Sequence, residues 1–350
     1  MIYSNKNTNF NWNELLESQQ GKMELILNRI IKYHVSLDIV NEFEQSILSD
    51  SQVKTVNPTR EIFYKSSVLI WKILDRYDFL MNHEMGSLFT TIKLNDHIVF
   101  SVLMGPDFRQ CLPYFMTSAR KNIYIFDAWP RQHEKIWRFA RLFGVNNVFV
   151  SSCQAADLLQ AKADRTKFHW IPEGIRPEEY KQYPYERKDI DVLALGRKYD
   201  AYHELIVEYL ENNHKTYLYE KTKGMIIFPT RMEFIDGLAR SRISICVPLS
   251  TTHPSISGEI ETMTTRYLQS MIAKCLIVGK APKELIALFG YNPVIEIDLN
   301  NPVQQLQSIF ENFSNYIPLI ENNFNVVIKH HTWRHRWEKI KSILVVEQSP

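Results

Sequence analysis

The sequence contains few glycines, and its cysteines are scattered. It has 11 glycines and four cysteines in 350 residues, and the cysteines (Cys111, Cys153, Cys246 and Cys275) form no Cys-x-x-Cys pair. This spacing excludes a zinc ribbon or a disulfide scaffold, so the cysteines are expected to be reduced residues of a cytosolic protein. With so little glycine, ligand recognition is expected to depend on side chains more than on close backbone approach.

The chain also lacks a charge excess and a long apolar run. Its 41 basic residues are balanced by 39 acidic ones, which gives no support for nucleic-acid binding. No segment approaches the roughly 18 apolar residues of a membrane span, and the first 20 residues do not resemble a signal peptide. We therefore expect a cytoplasmic protein, for which peripheral contact with the inner face of the membrane stays open.

The chain is long enough for two domains, and 45% of its residues are hydrophobic. Apolar residues at helical spacing over residues 12–75 predict a helical N-terminal region, 1–75. Short apolar runs then alternate with loop or helical material, which favours a parallel sheet covered by helices. These runs lie at 78–84, 97–104, 122–129, 146–152 and 167–174.

A second series of strands and helices follows a charged segment rich in proline, which is typical of a linker. Its strands are predicted at 190–197, 215–220, 242–249, 275–279 and 292–298. The prediction is an α/β protein with two Rossmann-like domains facing across a cleft. Its parts are a first domain (1–172), a linker (173–189), a second domain (190–328) and a C-terminal helix packing back on the first domain (329–350).

A polar stripe is predicted on one helix of the second domain, in the segment EIETMTTRYLQSMIAKCLIVG at 259–279. Apolar residues recur there at helical spacing, and a short strand follows. On such a helix four polar residues would share one side: Glu261, Thr265, Arg266 and Gln269. A polar stripe at the start of a helix that faces the end of a parallel sheet favours ligand binding, although acidic residues there can also simply stabilise the helix dipole.

The second series resembles the donor-nucleotide half of GT-B glycosyltransferases, particularly family four and its CgeB-like relatives. Four segments support the resemblance by their order: WIPEGIRPEEY, VLALGRKYDAYHELI, the segment at 259–279, and HHTWRHRWEKI. They are similar to the interdomain segment, the first donor-domain strand with its phosphate loop, the signature helix and the closing helix of that family. The resemblance extends over about residues 120–345.

The resemblance implies a role for several residues of the second domain. Glu261 matches the glutamate that contacts the transferred sugar, with Glu259 as the alternative if the register differs by two. Gln269 stands where the family has a second glutamate that grips the ribose, so the charge is missing here. Arg266 fits the Arg-x-x-Glu pattern of the CgeB-like branch and is expected near the phosphates.

The end of the first donor-domain strand is expected to deliver cations to a diphosphate. Gly196 is followed there by Arg197 and Lys198, whose positive charges would neutralise the leaving phosphate. Their alternative role is that of surface charges on a loop. The nucleotide base is expected to contact residues 221–232.

The first domain is expected to bind the acceptor. Asp127 follows a predicted strand and is the candidate for a base or for a group that holds the acceptor, although an aspartate before Pro130 also suits a turn or a helix cap. His133 lies near Asp127 in the sequence, and His83 and Glu84 are further candidates for the rim of the acceptor site.

The combined expectation is a metal-independent hexosyltransferase that moves a sugar from a nucleotide diphosphate, UDP or GDP, to a polar acceptor. The family implies retention of the anomeric configuration, no cofactor and no metal. Two alternatives stay open: a catalytically weak protein that binds a nucleotide sugar or glycan, and another enzyme on the same fold such as a nucleotide-sugar epimerase. No obligatory protein partner is readable from the residues.

Overall fold

The computed structural model describes residues 23–26, 37–57, 64–76, 97–194, 196, 198–222 and 224–346. They form two parallel β-sheets with helices packed on the faces. The predicted α/β architecture is therefore confirmed.

The first sheet has six strands in the order β2-β1-β3-β4-β5-β6. Their bounds are Met23–Ile26 (β1), Val53–Val56 (β2), Ile98–Met104 (β3), Arg120–Phe126 (β4), Asn147–Val150 (β5) and Lys167–Trp170 (β6). All neighbouring strands run parallel, so every strand of this sheet ends at the same edge. The chain order reverses between β1 and β3, which opens a crevice at that edge.

The second sheet has five strands in the order β11-β10-β9-β7-β8, again all parallel. Their bounds are Ile190–Ala194 (β7), Tyr217–Leu218 (β8), Ser241–Cys246 (β9), Leu276–Gly279 (β10) and Ile295–Glu296 (β11). The order reverses between β7 and β9, so a second crevice forms beyond the carboxyl ends of these two strands.

Thirteen helices are present in the described ranges. In the first part of the chain they are Asp38–Leu48 (α1), Tyr64–Arg76 (α2), His133–Phe143 (α3) and Cys153–Gln160 (α4). After the linker come Asp200–Asn212 (α5), Arg231–Ala239 (α6), Leu249–Thr252 (α7), Pro254–Ser257 (α8), Thr265–Ile272 (α9), Lys283–Phe289 (α10), Pro302–Glu311 (α11), Ile317–His330 (α12) and Trp333–Val346 (α13). None of these helices combines the length and apolarity needed to cross a membrane.

The helical prediction for residues 12–75 is only partly right. α1 and α2 lie there, but β1 and β2 do as well. β1 lies between β2 and β3, where Leu25 and Ile26 are completely buried, so pairing inside the sheet outweighs the helical spacing of the surrounding residues. The strand predicted at 78–84 lies outside the described residues.

The C-terminal helix α13 returns to the first sheet, as expected of a crossover helix. Trp333 is fully buried and stacks on Phe43 of α1, with ring centroids 4.3 Å apart. Trp337 meets Phe100 of β3 edge to face at 5.4 Å. The predicted domain boundaries themselves stay a prediction.

A segment of the second domain also enters the core of the first. Leu249 and Ile260 follow β9 in the chain, yet they are buried in the same hydrophobic cluster as Ile123 of β4 and Phe139 of α3. The two sheets are therefore fixed to each other by this arm, residues 249–260, in addition to the linker and α13.

Candidate active site

A cleft of about 490 Å³ lies between the carboxyl ends of the two sheets. From the first domain it is lined by the ends of β3 and β4 and by the start of α1: Met104, Phe126, Asp127, Asp38 and Ile39. The second domain contributes Gly196, residues 224–228 and the start of α9, and the linker contributes Glu173. Strand ends at a switch of chain order are where α/β proteins hold ligands.

The N-terminus of α9 opens onto this cleft. Thr264 precedes the helix in an extended conformation, and its Oγ1 is buried without a hydrogen-bond partner among the described residues. An N-cap hydroxyl normally accepts a bond from its own helix, so this one remains for a ligand. Together with the positive end of the helix dipole, it favours an anion in the cleft.

Two of the residues predicted to bind the donor, Gly196 for the ribose or sugar and Arg266 for the phosphates, meet in the wall of the cleft. Gly196 has a φ of +78°, which a residue with a Cβ atom rarely adopts, and a Cβ there would lie 3.2 Å from Nη1 of Arg266. Arg266 also donates from Nη2 to the carbonyl of Val247 at 3.3 Å. The guanidinium is thereby placed beside Gly196, just beyond the end of β7.

Of the other two predicted cations, only Lys198 is among the described residues. Arg197 lies outside the described residues. Lys198 does not line the cleft, because its Nζ pairs with Asp200 at 3.2 Å and lies over the ring of Tyr219.

Gln269 lines the cleft, and its amide is oriented by a buried chain of hydrogen bonds. Its Nε2 donates to the hydroxyl of Tyr180 at 3.1 Å, and that hydroxyl donates to Oε1 of Glu42 at 2.6 Å. The amide oxygen of Gln269 is therefore the atom left to accept from a ligand hydroxyl. A glutamate at position 269 would instead add a second negative charge close to Glu42.

Arg231 completes a buried ionic network that links the two domains. Its guanidinium reaches Asp38 at 3.2 Å, Glu42 at 2.8 Å and Glu179 at 2.5 Å. Burial raises the pKa of Glu42, while the hydroxyl of Tyr180 and the charge of Arg231 oppose that rise. This network was not predicted from the sequence; its only local signal was a pair of acids, Asp38 and Glu42, at i and i+4 in a helix that carries four further polar residues.

Glu261 does not share a helix face with Gln269, so that part of the prediction is wrong. α9 begins only at Thr265, and the preceding residues are extended because Glu284 accepts bonds from Thr262 Oγ1 at 3.1 Å and from Met263 N at 3.2 Å. Glu261 pairs with Lys280 at 3.3 Å and does not line the cleft. Glu259, the alternative, is exposed. The role of Glu261 toward the sugar stays a prediction.

Asp127 lies where the cleft meets a smaller cavity beside it. The residue directly follows β4 with a φ of +52°, a left-handed conformation that is uncommon for residues other than glycine although aspartate adopts it more often than most, and the residue is exposed. It lines both cavities. Such backbone strain at the floor of a cleft is typical of functional positions.

Of the remaining candidates for the acceptor side, only His133 is among the described residues. His133 starts α3, its Nε2 lies 2.9 Å from the carbonyl of Ala128, and burial lowers its pKa. It lines neither the cleft nor the smaller cavity. His83 and Glu84 lie outside the described residues.

Residues 224–228, part of the segment predicted to contact the base, form an apolar wall of the cleft. Met225 and Ile226 are 42% and 48% exposed, although both side chains are large and apolar. A flat nucleobase offers such a wall a matching apolar surface.

Two buried carboxyl groups connect the domains, and neither was singled out from the sequence. Burial raises the pKa of Glu173 to about 8; the charge of Asp127 adds to the rise, and hydrogen bonds from Thr265 oppose it. Burial likewise raises the pKa of Glu284 to about 7, although bonds from Cys153 N, Thr262 and Met263 oppose the rise. Both groups are therefore largely protonated in a mildly acidic solution.

These raised pKa values predict that the protein loses stability as the pH rises. A carboxyl of Glu173 that ionises near 4.5 in the unfolded chain and near 8 in the folded one keeps a proton that the unfolded chain has released. The free energy of unfolding should fall between about pH 5 and pH 8, by up to about 1.4 kcal/mol per pH unit for such a group. Glu173→Gln should flatten this slope in urea titrations at pH 5, 6, 7 and 8, whereas the exposed control Glu208→Gln should leave it unchanged. An unaltered slope in Glu173→Gln would show that this carboxyl is ionised in the folded protein.

An Asp-x-Asp triplet, the motif of metal-dependent glycosyltransferases, occurs at Asp189 and Asp191 but lies away from the cleft. Both residues flank the start of β7, whereas the cleft lies at the ends of the strands. Asp189 is held by Arg240 through bonds of 2.8 and 2.6 Å, and Asp191 accepts from Thr216 N at 2.9 Å. Within the described ranges, no three His, Cys, Asp or Glu side chains are grouped so as to hold a metal ion.

Comparison with known proteins identifies the fold. No family model and no curated protein sequence matches the chain. In structure it is similar to HepE from Anabaena in complex with UDP and glucose, with a TM-score of 0.55 and 9% identity over 94% of this chain and 100% of that one.

Two further solved structures are similar to the chain over nearly its whole length. A trehalose-phosphate synthase (UDP-forming) from Burkholderia vietnamiensis has a TM-score of 0.54 and 8% identity over 93% of this chain and 100% of that one. A glycosyltransferase from Rickettsia africae has a TM-score of 0.53 and 13% identity over 93% and 98%. Because these likenesses extend over nearly the whole of each chain and include both sheets, the protein has the GT-B fold.

Proposed function

We propose that this protein is a metal-independent glycosyltransferase that transfers a sugar, of hexose type, from a nucleotide-diphosphate sugar to a polar acceptor. The observation that carries the proposal is the N-terminus of α9, where the hydroxyl of Thr264, without a hydrogen-bond partner among the described residues, and the side chain of Arg266 both line the cleft between the two sheets. HepE has been crystallised with UDP and with UDP-glucose, which makes UDP the first donor nucleotide to test.

In the proposed reaction the second domain holds the donor. Arg266 and the helix end neutralise the diphosphate, and the amide oxygen of Gln269 accepts from a ribose hydroxyl. Glu261 would have to turn from Lys280 to reach the sugar, and Lys198 would have to leave Asp200 to reach the phosphate.

Transfer exchanges one bond for another at the anomeric carbon. The acceptor hydroxyl oxygen bonds to this carbon while the bond to the phosphate oxygen breaks, and the nucleoside diphosphate leaves with the electron pair. The acceptor oxygen attacks from the face that the phosphate leaves, which gives retention of configuration, and its proton passes to the departing phosphate oxygen on that face. Asp127 orients the acceptor hydroxyl from the end of β4, and the closed cleft excludes competing water.

Nucleotide binding tests the proposal. We expect that one diphosphate among UDP, GDP, dTDP and ADP, but not CMP, will raise the melting temperature of the protein, and that EDTA will not change the shift. Arg266→Ala should weaken this nucleotide by about tenfold to a hundredfold in calorimetric titrations, because it removes a charge-assisted contact. The exposed control Arg187→Ala should bind as the wild type does. Failure of every nucleotide to bind would refute the proposed function.

A binding protein without turnover is the second candidate, and the uncharged side chain of Gln269 favours it. Such a protein would be stabilised by the nucleotide sugar but would release no nucleoside diphosphate with any acceptor. Gln269→Glu separates the candidates further: gain of turnover in this variant alone would indicate that the native chain is a binding protein.

A further inference from the structure

A second cavity, of about 360 Å³, adjoins the cleft. We call it the side pocket; it is formed by Trp129, Arg131 and Gln132 of the first domain and by Leu249, His253 and Ile256 of the arm. It shares Met104 and Asp127 with the cleft, so a molecule in the side pocket extends toward the donor beside Asp127.

The walls of the side pocket are held in place by the core. Leu249 belongs to the buried cluster of the first domain, and Ile256 packs against that cluster. The arm also touches Pro130, because a Cβ on Gly258 would lie 3.3 Å from Pro130 Cγ. The cavity is therefore preformed, as ligand sites usually are.

Three residues that line the side pocket can donate hydrogen bonds to a ligand. Arg131 is exposed and makes no hydrogen bond or ion pair with any described residue. The Oε1 atom of Gln132 lies 3.3 Å from Trp129 N and accepts from it, which leaves its Nε2 as a donor. His253 contacts Thr252 Oγ1 through Nδ1 at 3.0 Å, so its Nε2 remains available.

The side pocket therefore carries groups of both kinds. Arg131, Gln132 and His253 offer positive charge and donors, whereas Asp127 offers a carboxylate. An anionic group is attracted to the first three residues and repelled by Asp127. A hydroxyl group suits Asp127, since it can donate to the carboxylate.

We propose that the side pocket binds an acceptor that carries an anionic group, a phosphate ester or a carboxylate, against Arg131 and His253 and presents its hydroxyl at Asp127. This inference rests on the proposed function and adds the chemical class of the acceptor. It also explains why Arg131, a lone cation beside the cleft, is left without an ion-pair partner among the described residues.

The test compares three sugars that differ in charge. The full-length protein, saturated with UDP, is titrated by calorimetry with a hexose, the same hexose carrying a 6-phosphate, and the corresponding hexuronate. The charged sugars should bind at least tenfold more tightly than the neutral one, and the better of them identifies the anionic group. Release of UDP from UDP-glucose should be stimulated in the same order.

Substitutions of arginine residues test where the anionic group binds. Arg131→Gln should weaken the charged sugar by about tenfold or more and leave the affinity for UDP unchanged, because Arg131 does not line the donor cleft. Arg138→Gln is the matched control on the same helical stretch, and it should have no effect on either ligand. Equal binding of the neutral and charged sugars, no binding of any of them, or full affinity in Arg131→Gln would overturn the inference.

The inference and the proposed function fail in different ways. If no nucleotide binds, the proposed function falls, and titration of the sugar phosphate alone still decides whether the side pocket holds an anion. If UDP binds and turns over while charge on the acceptor has no effect, only the inference falls.

Discussion

Replacing Arg231 with methionine is expected to lower the free energy of unfolding by about 3–5 kcal/mol, as happens when a buried ion pair loses one partner. Glu42 is 1% exposed and Asp38 is 4% exposed, so both carboxylates would remain buried without the cation that reaches them in the native network. Tyr180 would still donate to Glu42, but a single neutral donor does not offset the desolvation of a carboxylate.

An exposed ion pair on the same helical segment provides the matched control. Arg240 follows α6 and holds Asp189 with two short bonds, yet the two side chains are 42% and 60% exposed. Arg240→Met should therefore cost no more than about 1 kcal/mol. Guanidinium unfolding curves of both variants measure the difference, and equal losses would show that burial does not set the strength of the Arg231 network.

A second substitution distinguishes the lost charge from the lost packing. Adding Glu42→Gln to Arg231→Met removes the buried charge that the first substitution leaves unpaired, so the double variant should recover a large part of the stability. Arg231→Lys keeps the charge but loses the planar fork that contacts three carboxylates, and we expect an intermediate loss.

The parallel strands were predictable from the sequence because they are continuous apolar runs buried on both faces. β3, β5, β7 and β10 lie within predicted segments, whereas β4 begins two residues and β9 one residue before the predicted start. The order of these runs was enough to indicate two Rossmann-like domains. β1 and β2 were missed because each is fixed by its neighbours in the sheet rather than by its own pattern.

Residues of the candidate site were predictable from the sequence only where they follow a strand or lie in the first turns of a helix. Gly196, Arg266 and Gln269 were found this way, and all three line the cleft. The contact between Arg231 and Glu42 joins residues 189 positions apart, and no local pattern reports such a pair. Glu261 was predicted on a helix because the bonds that hold the residues before α9 come from Glu284, which lies 22 residues later in the chain than Thr262.

Removal of α13 is expected to abolish both stability and donor binding. Trp333, Trp337, Ile340 and Leu344 are each no more than 2% exposed, and they cover the face of the first sheet that also holds Phe43 and Phe100. A chain truncated after residue 328 would expose this face to water, so we expect it to be insoluble or unfolded. Full activity of the truncated chain would contradict the arrangement.

A point substitution tests the same helix without deleting it. Trp333→Ala should lower the free energy of unfolding by about 3–5 kcal/mol, because it leaves a cavity the size of an indole beside Phe43. Lys339→Ala, on the exposed side of α13, is the matched control and should change stability by less than about 0.5 kcal/mol.

Trp333→Ala should also weaken nucleotide binding, because α13 holds the linker that lines the cleft. Trp333 N donates to the carbonyl of Ile175 at 2.9 Å, and Arg336 Nε donates to the carbonyl of Glu173 at 3.2 Å. A Cβ on Gly174 would lie 2.8 Å from Trp333 N, so helix and linker are in direct contact. Glu173 in turn accepts from Thr265 at the start of α9, where we propose that the diphosphate binds. A loss of stability with unchanged affinity for the nucleotide would show that α13 supports only the fold. A loss of both stability and nucleotide affinity would show that α13 also positions the donor site, through its contacts with the linker.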